Sequence, residues 1–354
     1  MRVRLPVNLG ERLRTLVTRG NAVFFSLGAV YIRSDKLSKK VQQELRHELP
    51  FAPRGQAFVR WGRRFSHGTD IALLITGVGR LGNSILQTLN TRTLAGVLDT
   101  KETYYHRFDA VENKCLFLGD GITLRKLSIL NPGASGRPRL IWRTYALNSD
   151  TPLHNPQNVE FGAVKKTLRD LLIPSYALLE KTPHDCLTIY LRSGDVFSHK
   201  PEPHYAQPPW AFYEKALEFK PWSRVELVTE DTGNPNYDPI LRWCRERDIP
   251  FDVLGSSLNE AVGAILGASH LVSARGTFIP SLLFLTNDEK HVFQFHDEKS
   301  PLMGGANLSL WRVTDKDGGY VASVMARNWA NTEAQRTLML DYPADSLSEI
   351  VRMP

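Results

Sequence analysis

The sequence predicts an α/β protein with two Rossmann-type lobes and a basic N-terminal arm. Three observations support this fold class. Residues 71–94 contain an apolar strand, a glycine turn and a helix, the unit that begins a doubly wound sheet. From residue 186 to residue 295, apolar strand segments alternate with helical segments, as in a parallel sheet covered by helices. The first 65 residues are strongly basic.

The arm differs from the rest of the chain in its charge. The 354 residues carry 44 Lys and Arg against 37 Asp and Glu, a net charge of +7. Residues 1–65 hold 14 of the basic and 4 of the acidic residues, so the arm carries +10 and the remaining chain −3. A slightly acidic body argues against nucleic-acid binding. The basic arm favours peripheral contact of residues 1–65 with an anionic membrane surface.

The arm is predicted to contain two helices and a linker. The first is a basic amphipathic helix, with an apolar stripe at Leu9, Leu13, Leu16 and Val17. The second covers residues 36–49, and residues 50–69 form a loop or linker. The apolar run at residues 22–32 is shorter than the roughly 20 residues of a membrane span, so it is interpreted as a strand or a buried helix.

Changes in composition set the expected domain boundaries. They are an arm and linker at 1–69, an N-terminal Rossmann-like lobe at 70–180, a second Rossmann-like lobe at 181–300, and a C-terminal extension at 301–354 that packs across the lobes. The three cysteines are widely spaced and odd in number, which argues against disulfides and zinc and favours a reducing compartment. A cytoplasmic location, peripheral at the membrane, is therefore expected, with the secretory pathway as the alternative.

Secondary structure is assigned from apolar periodicity and turn signals. In the first lobe we predict strands at 71–76 and 95–98 and helices at 83–94 and 164–179. In the second lobe we predict strands at 187–191, 225–229, 251–254, 271–273 and 291–295, and helices at 210–217, 240–246, 258–266 and 278–284.

A glycine-rich turn follows the first of these strands. Residues 77–82 match the pattern Gly-x-Gly-x-x-Gly, and Asp99 lies 22 residues after Gly77. Glycines let a backbone approach a pyrophosphate, and an acidic residue at about this distance binds ribose in dinucleotide-binding folds. The pattern supports an NAD(P)-dependent oxidoreductase as one hypothesis. Arg80 and Asn83 instead suggest ligand contact by side chains, and a tight turn without a ligand also fits.

A second motif, Leu191-Arg192-Ser193-Gly194-Asp195, follows a predicted strand of the second lobe. Ligands of open α/β sheets bind at the carboxyl ends of strands. The guanidinium of Arg192 offers a planar set of donors suited to a diphosphate. A surface Arg–Asp pair in a turn is the alternative interpretation.

Four segments together resemble the inverting, GDP-fucose-dependent α1,2, α1,6 and protein O-fucosyltransferases. Residues 190–195 (YLRSGD) resemble the His-x-Arg-Arg-x-Asp motif, with Tyr190 in place of His and Ser193 in place of the second Arg. Residues 79–84 (GRLGNS) resemble a Gly-Arg-Leu-Gly-Asn-Gln signature. Residues 272–278 resemble a Ser-rich third motif, and Thr229-Glu230-Asp231 a Ser/Thr–acidic–acidic segment. The likeness covers about residues 71–290.

The resemblance implies a GT-B-like fold with a donor cleft between the lobes, a nucleotide-sugar donor, most simply GDP-fucose, and a glycan acceptor. It implies neither a metal nor a cofactor, and it matches Arg192 to the arginine that contacts the β-phosphate. The predicted donor-binding residues are Gly79, Arg80, Gly82, Asn83, Ser193, Gly194, Asp195, Gln207, Glu230, Asp231, Ser273, Arg275, Gly276, Thr277 and Phe278.

The loop at 197–209 follows Arg192 directly and is rich in proline and histidine. Glu202 and His204 are the candidate general bases for an acceptor hydroxyl, with Arg192 as the principal catalytic cation. A zinc site from His199 and His204 lacks a complete ligand set. A non-catalytic protein that binds glycans or membranes is the third function class that the sequence leaves open.

Overall fold

The computed structural model describes residues 24–26, 29–32, 57–61, 71–75, 81–97, 102–105, 108, 115–126, 138–143, 162–173, 181–296 and 307–353. The chain divides into two compact units, Met1–Leu172 and Ile173–Pro354. The described strands of each unit form one sheet. Within these ranges, no helix combines the length and apolar character needed to cross a membrane.

The first unit contains a mixed sheet whose described strands lie in the order β1-β2-β3-β8-β4-β5-β7-β6. Its strands are β1 (Phe24–Ser26), β2 (Ala29–Ile32), β3 (Ala57–Trp61), β4 (Ile71–Ile75), β5 (Glu102–Tyr105), β6 (Leu116–Gly119), β7 (Ile122–Lys126) and β8 (Pro138–Arg143), and its helices are α1 (Leu81–Val97) and α2 (Gly162–Leu172). Strands β8, β4, β5 and β7 are parallel, and the flanking pairs are antiparallel. The sheet of this unit is therefore only partly parallel, whereas the sequence predicted a Rossmann-like lobe here.

Several predictions for this unit are settled by the described residues. The predicted strand at 71–76 is confirmed over its described residues 71–75, and so is the helix after the glycine turn. In the apolar run at 22–32, residues 24–26 and 29–32 form strands β1 and β2. The linker prediction for 50–69 is wrong at residues 57–61, which form β3 between β2 and β8. The predicted helices at 9–17 and 36–49, and the turn at 77–80, lie outside the described residues.

The predicted short strand at 95–98 is also wrong. Residues 95–97 are the last turn of α1, and the next described strand begins at Glu102. Ala95 is buried like Ile85 and Leu89 earlier in the helix. Because alanine and leucine are favourable in helices, nothing at 94–95 interrupts α1.

The second unit contains a seven-stranded sheet in the order β11-β10-β9-β12-β13-β14-β15 among its described residues. Its strands are β9 (Cys186–Tyr190), β10 (Arg224–Val228), β11 (Phe251–Leu254), β12 (His270–Val272), β13 (Lys290–Phe295), β14 (Leu308–Val313) and β15 (Val351–Arg352). The first six strands are parallel and β15 is antiparallel. Numbered within the unit, the parallel strands follow the order 3-2-1-4-5-6 of the Rossmann fold.

Five α-helices are described in the second unit: α3 (Trp210–Glu218), α4 (Tyr237–Glu246), α5 (Leu258–Gly267), α6 (Phe278–Leu285) and α7 (Glu333–Asp341). Strand β9 is buried along its length except at Tyr190, as expected for a central parallel strand covered on both faces. Helix α5 begins after Ser257, whose hydroxyl accepts a hydrogen bond from the backbone N–H of Glu260.

The predicted strands and helices between residues 186 and 295 are all confirmed, with small shifts at their ends. The region expected to be a C-terminal extension contains β14, β15 and α7, and β14 pairs with β13 along six residues. Residues 308–313 are therefore a full strand of the second unit's sheet. The same region holds one turn of π-helix, Val321–Met325.

The cysteines are all free. Burial is the main cause that raises the pKa of Cys186 to about 12 and that of Cys244 to about 11, so both are packed thiols rather than nucleophiles. Cys115 is exposed.

Candidate functional site

The order of the second sheet places one crevice at the ends of β9 and β12. These two strands are neighbours, and the chain continues from β9 to β10 on one side and from β12 to β13 on the other. This arrangement is a topological switch point, where open α/β sheets bind ligands beyond the carboxyl ends of their strands. Residues 191–195 follow β9, residues 273–277 follow β12, and residues 229–231 follow β10. The three predicted motifs of the second unit therefore share one edge of one sheet.

Arg192 is held in place by backbone and aromatic contacts. Its Nη1 donates to the backbone carbonyl of Arg275 at 3.2 Å, and its guanidinium lies 4.3 Å from the centre of the Tyr205 ring. Its Nη2 lies 3.5 Å from the exposed carboxylate of Asp195. The Arg192 side chain is 13% exposed, so it is largely withdrawn from water but open on one side.

Two glycines permit this packing. Gly276 has a φ of 146°, and a Cβ at this position would collide with Nη1 of Arg192. Gly194 has a φ of 65°, and a Cβ there would collide with the carboxylate of Glu230. Both glycines were predicted donor-binding residues. At both positions the backbone conformation and the close neighbour require glycine, because residues with a Cβ rarely adopt these conformations.

Ser193 and Asp231 form a hydrogen-bonded support beside the motif. The Ser193 side chain is fully buried and donates a hydrogen bond to Oδ1 of Asp231. The same carboxylate oxygen accepts from the backbone N–H of Gly233 at 2.8 Å. The hydroxyl of Thr229 donates to the backbone carbonyl of Asp231, also at 2.8 Å. Asp231 therefore fixes the loops after β9 and β10.

Glu230 is exposed like Asp231 but has a different neighbour. Its carboxylate lies against Gly194 at the open rim of the crevice. Both residues were predicted to bind the donor. Their contacts differ, since Asp231 holds two loops together and Glu230 lies against Gly194.

Arg275 lies on the other side of the crevice. Its Nη1 donates to the backbone carbonyl of Met325 at 3.4 Å. Helix α6 follows at Phe278, its first turn contains no acidic residue, and the Thr277 side chain makes no capping hydrogen bond. The first backbone N–H groups of a helix and its dipole favour an anion. Arg275 and the start of α6 thus concentrate positive charge beside Arg192.

Three other predicted residues line the base of this region. Ser273 is buried, and its hydroxyl donates to the carbonyl of Ala274 at 3.3 Å. The Phe278 ring packs 5.4 Å from the ring of Tyr190. Gln207 is fully buried, and its Nε2 donates to the carbonyls of Tyr205 at 2.6 Å and Arg275 at 3.5 Å. Its Oε1 has no hydrogen-bond partner in the described part of the chain.

The two candidate bases lie together on the loop between Arg192 and α3. Nε2 of His204 is 3.9 Å from Oε1 of Glu202, and both side chains are about half exposed, at 49% and 55%. The backbone N–H of Tyr205 donates to the carbonyl of Glu202 at 3.0 Å. This turn connects the pair to the ring that packs on Arg192.

The remaining predicted donor-binding residues belong to the first unit. Gly82 and Asn83 lie in the first turn of α1. Gly79 and Arg80, together with Asp99 of the oxidoreductase hypothesis, lie outside the described residues.

Sequence reasoning missed residues that support the site from a distance along the chain. Asn234 is buried, and its Nδ2 donates to the carbonyl of Arg192 at 2.8 Å. Trp329 donates to the carbonyl of Val196 at 2.7 Å, and Asn331 donates to that of Phe197 at 2.7 Å. The Asn-Pro-Asn sequence at 234–236 is a loop signal after a strand. The contacts from residues 329 and 331 have no local signal.

The chain contains an Asp-x-Asp sequence at 315–317, which the expectation of a metal-free site did not take into account. Oδ1 of Asp315 accepts from the Tyr342 hydroxyl at 2.7 Å, and Oδ2 accepts from the N–H of Val321 at 3.0 Å. Both oxygens are therefore occupied within the protein. Among the described residues, no group of three or more His, Cys, Asp or Glu side chains is arranged to hold a metal ion.

No protein-family model matches the chain, and no curated protein matches it. Among solved structures, it is similar to the iron-containing dodecameric glycosyltransferase TibC from enterotoxigenic E. coli H10407, with a TM-score of 0.35 and 12% identity. That alignment covers 64% of this chain and 58% of TibC, less than two thirds of its length. Histidinol dehydrogenase from Elizabethkingia anophelis aligns with a TM-score of 0.19 and 10% identity, over 99% of this chain and 86% of that one.

Proposed function

We propose that the second unit binds a nucleoside diphosphate sugar and that the protein transfers the sugar to a glycan acceptor. The observation that carries the proposal is the placement of Arg192 and Arg275 at the ends of adjacent strands, at the switch point of a Rossmann-type sheet. A diphosphate needs charge-assisted donors on both phosphates, and two guanidinium groups at one crevice meet that need.

The charged groups of the site can stabilise the diphosphate as it leaves. In the proposed inverting reaction, the acceptor hydroxyl attacks the anomeric carbon, the bond to the diphosphate breaks, and the diphosphate leaves with the bonding electrons. Arg192, Arg275 and the start of α6 stabilise the charge that develops on the diphosphate. The proton of the acceptor hydroxyl passes to Glu202 or His204. We propose that this donor set works without a metal.

The resemblance to fucosyltransferases suggests GDP-fucose as the donor. Ser193 stands where the fucosyltransferase motif has its second arginine. Its side chain is buried against Asp231, so it does not supply a cation to the crevice. Arg275 supplies a second guanidinium from the neighbouring strand end instead. We propose a GT-B arrangement of the two units, with the acceptor on the first. Contact of residues 1–65 with a membrane and a cytoplasmic location stay predictions.

An NAD(P)-dependent oxidoreductase is the second candidate, since dinucleotides also bind at sheets of order 3-2-1-4-5-6. Its glycine fingerprint, residues 77–82, follows β4 of the mixed sheet in the first unit and not the first strand of this order. Here the turn after β9 reads Leu191-Arg192-Ser193-Gly194-Asp195, and it presents an arginine side chain. The turn of the second unit therefore favours the nucleotide-sugar proposal.

A ligand panel tests the two candidates together. GDP-, UDP- and CMP-sugars, NADH and NADPH are added separately to the full-length protein, and thermal stability and release of the free nucleotide are measured. The proposal predicts stabilisation and slow hydrolysis with one nucleotide-sugar class and no saturable effect of NADH or NADPH. Stabilisation by a nicotinamide dinucleotide alone would reverse the assignment.

A further inference from the structure

The two arginines of the site are joined by a chain of contacts through the C-terminal part of the second unit. The ring under Arg192 belongs to Tyr205, whose backbone carbonyl accepts from Nε2 of Gln207. The backbone carbonyl of Gln207 accepts from the hydroxyl of Tyr320 at 2.6 Å. This last bond connects two positions 113 residues apart.

The chain of contacts then returns to the crevice through the π-helical turn. Tyr320 immediately precedes Val321–Met325, and the carbonyl of Met325 accepts from Nη1 of Arg275. Because Nη1 of Arg192 donates to the carbonyl of Arg275, the contacts close into a ring. Single π-helical turns are rare and are frequent at functional sites.

Tyr320 is the residue that connects the two halves of this ring. Its side chain is fully buried, with its ring 5.8 Å from that of Phe295 and 5.2 Å from that of Tyr342. Burial raises the pKa of the Tyr320 phenol well above its ordinary value. The hydroxyl is therefore a neutral donor, fixed by packing, and it does not touch the proposed ligand.

We propose that Tyr320 is a positioning residue that sets the separation of the Arg192 and Arg275 guanidinium groups. This inference rests on the proposed function. A diphosphate engages both guanidinium groups at once, so its affinity depends on their separation. A monophosphate needs fewer of these donors and depends less on that separation. Tyr320 thereby contributes to selection of a diphosphate over a monophosphate.

The variant Tyr320→Phe removes only the hydroxyl and keeps the ring. It leaves the buried carbonyl of Gln207 without this donor, so the Tyr205–Gln207 segment is no longer tied to the start of the π-helical turn. GDP and GMP are titrated calorimetrically into the full-length wild type and the variant. The expected result is about a tenfold fall in the GDP-to-GMP affinity ratio. Since both titrations use the same preparation, any loss of folded protein cancels from the ratio.

Thr103→Val is the matched control, because it also removes one buried hydroxyl that donates to a backbone carbonyl, that of Thr123 at 3.0 Å, but in the sheet of the first unit. It is expected to leave the affinity ratio unchanged. Arg192→Ala distinguishes a failure of the positioning role of Tyr320 from a failure of the proposed function. If Arg192→Ala weakens GDP binding and Tyr320→Phe leaves the ratio at the wild-type value, the positioning role is wrong and the proposed function stands. If Arg192→Ala and the wild type bind GDP equally, both are wrong.

Discussion

Arg192 occupies the space that a side chain at position 276 would need. Its Nη1 donates to the carbonyl of Arg275 at 3.2 Å, and a Cβ on Gly276 would collide with the same nitrogen. The end of β9 and the end of β12 therefore fit together only with glycine at position 276. The guanidinium of the proposed phosphate-binding residue is located by the backbone of the neighbouring strand's loop.

Gly276→Ala is predicted to displace the Arg192 side chain and to weaken nucleoside diphosphate binding by about 10-fold or more. Gly318→Ala is the control, since Gly318 also has a positive φ, of 70°, but a Cβ there meets nothing within 4 Å. Each variant places a Cβ on a residue of positive φ, at a backbone cost of roughly 1–3 kcal/mol. Urea unfolding and nucleotide titration are measured on both. Equal binding by the two variants would show that the collision with Arg192 does not matter.

Asp231→Ala is predicted to lower the free energy of unfolding by about 1–3 kcal/mol, because the buried hydroxyl of Ser193 and the N–H of Gly233 lose their acceptor. Glu230→Gln is predicted to leave stability within about 0.5 kcal/mol, since Glu230 is exposed, and to weaken binding of the nucleoside part of the donor. Urea denaturation and titrations with nucleoside diphosphate and with pyrophosphate distinguish the two. A large stability loss in Glu230→Gln would contradict the separation of roles.

Glu202→Gln and His204→Gln test the assignment of the base. If one of them accepts the proton of the acceptor hydroxyl, its variant should reduce kcat for transfer by about 100-fold or more. The affinity for nucleoside diphosphate should stay at the wild-type value, because neither residue is placed at the phosphates. His199→Gln, at an exposed histidine of the same loop, is the control. Unchanged kcat in both variants would exclude the pair as the base.

The lowered pKa of His270 predicts that the folded protein loses stability in acid, whatever ligand the protein binds. Burial is the main cause that lowers its pKa from 6.5 to about 4, followed by Lys220, His291 and His184. The Lys220 amino group lies 3.3 Å from Nε2 of His270, and the His291 ring stacks at 4.6 Å. Because the folded-state pKa is depressed, the neutral form is favoured on folding. Its full contribution is present above about pH 6.5 and is lost as the pH falls through about 4.

This contribution is on the order of 3 kcal/mol. Urea unfolding of the wild type and of His270→Gln is compared between about pH 7 and pH 4. The variant should show a shallower loss of stability on acidification, since it cannot take up a proton at this position. Parallel curves for the two proteins would show that His270 does not titrate as described.

Local signals in the sequence predicted most of the second unit and part of the first. Buried strands such as β9 are continuous apolar runs, and their order along the chain, alternating with helices, implies a parallel sheet. Helix α7 has an equally local signal that the sequence analysis did not use: Thr332 and Gln335 form a capping box. The hairpin between β6 and β7 likewise turns at Asp120-Gly121, a strong hairpin sequence.

Local sequence signals likewise predicted some residues of the candidate site and not others. Arg192, Arg275 and Gly276 follow strands, so their placement at one sheet edge followed from the predicted topology. The different roles of Glu230 and Asp231 depend on which carboxylate meets Ser193, and a sequence does not encode that locally. Tyr320 reaches Gln207 from a distant part of the chain by packing alone, and no periodicity or motif marks such a contact.

The central claim, that Arg192 binds the diphosphate of a nucleotide sugar, is tested most directly by calorimetric titration of the wild type and Arg192→Ala with GDP, UDP and CDP. Arg224→Ala is the control, because Arg224 is a more exposed arginine paired with Asp252 at the opposite end of β10. The account predicts saturable binding of one nucleoside diphosphate by the wild type and by Arg224→Ala, and a loss of about 100-fold or more in Arg192→Ala. Equal binding by all three proteins, or no binding by the wild type, would contradict it.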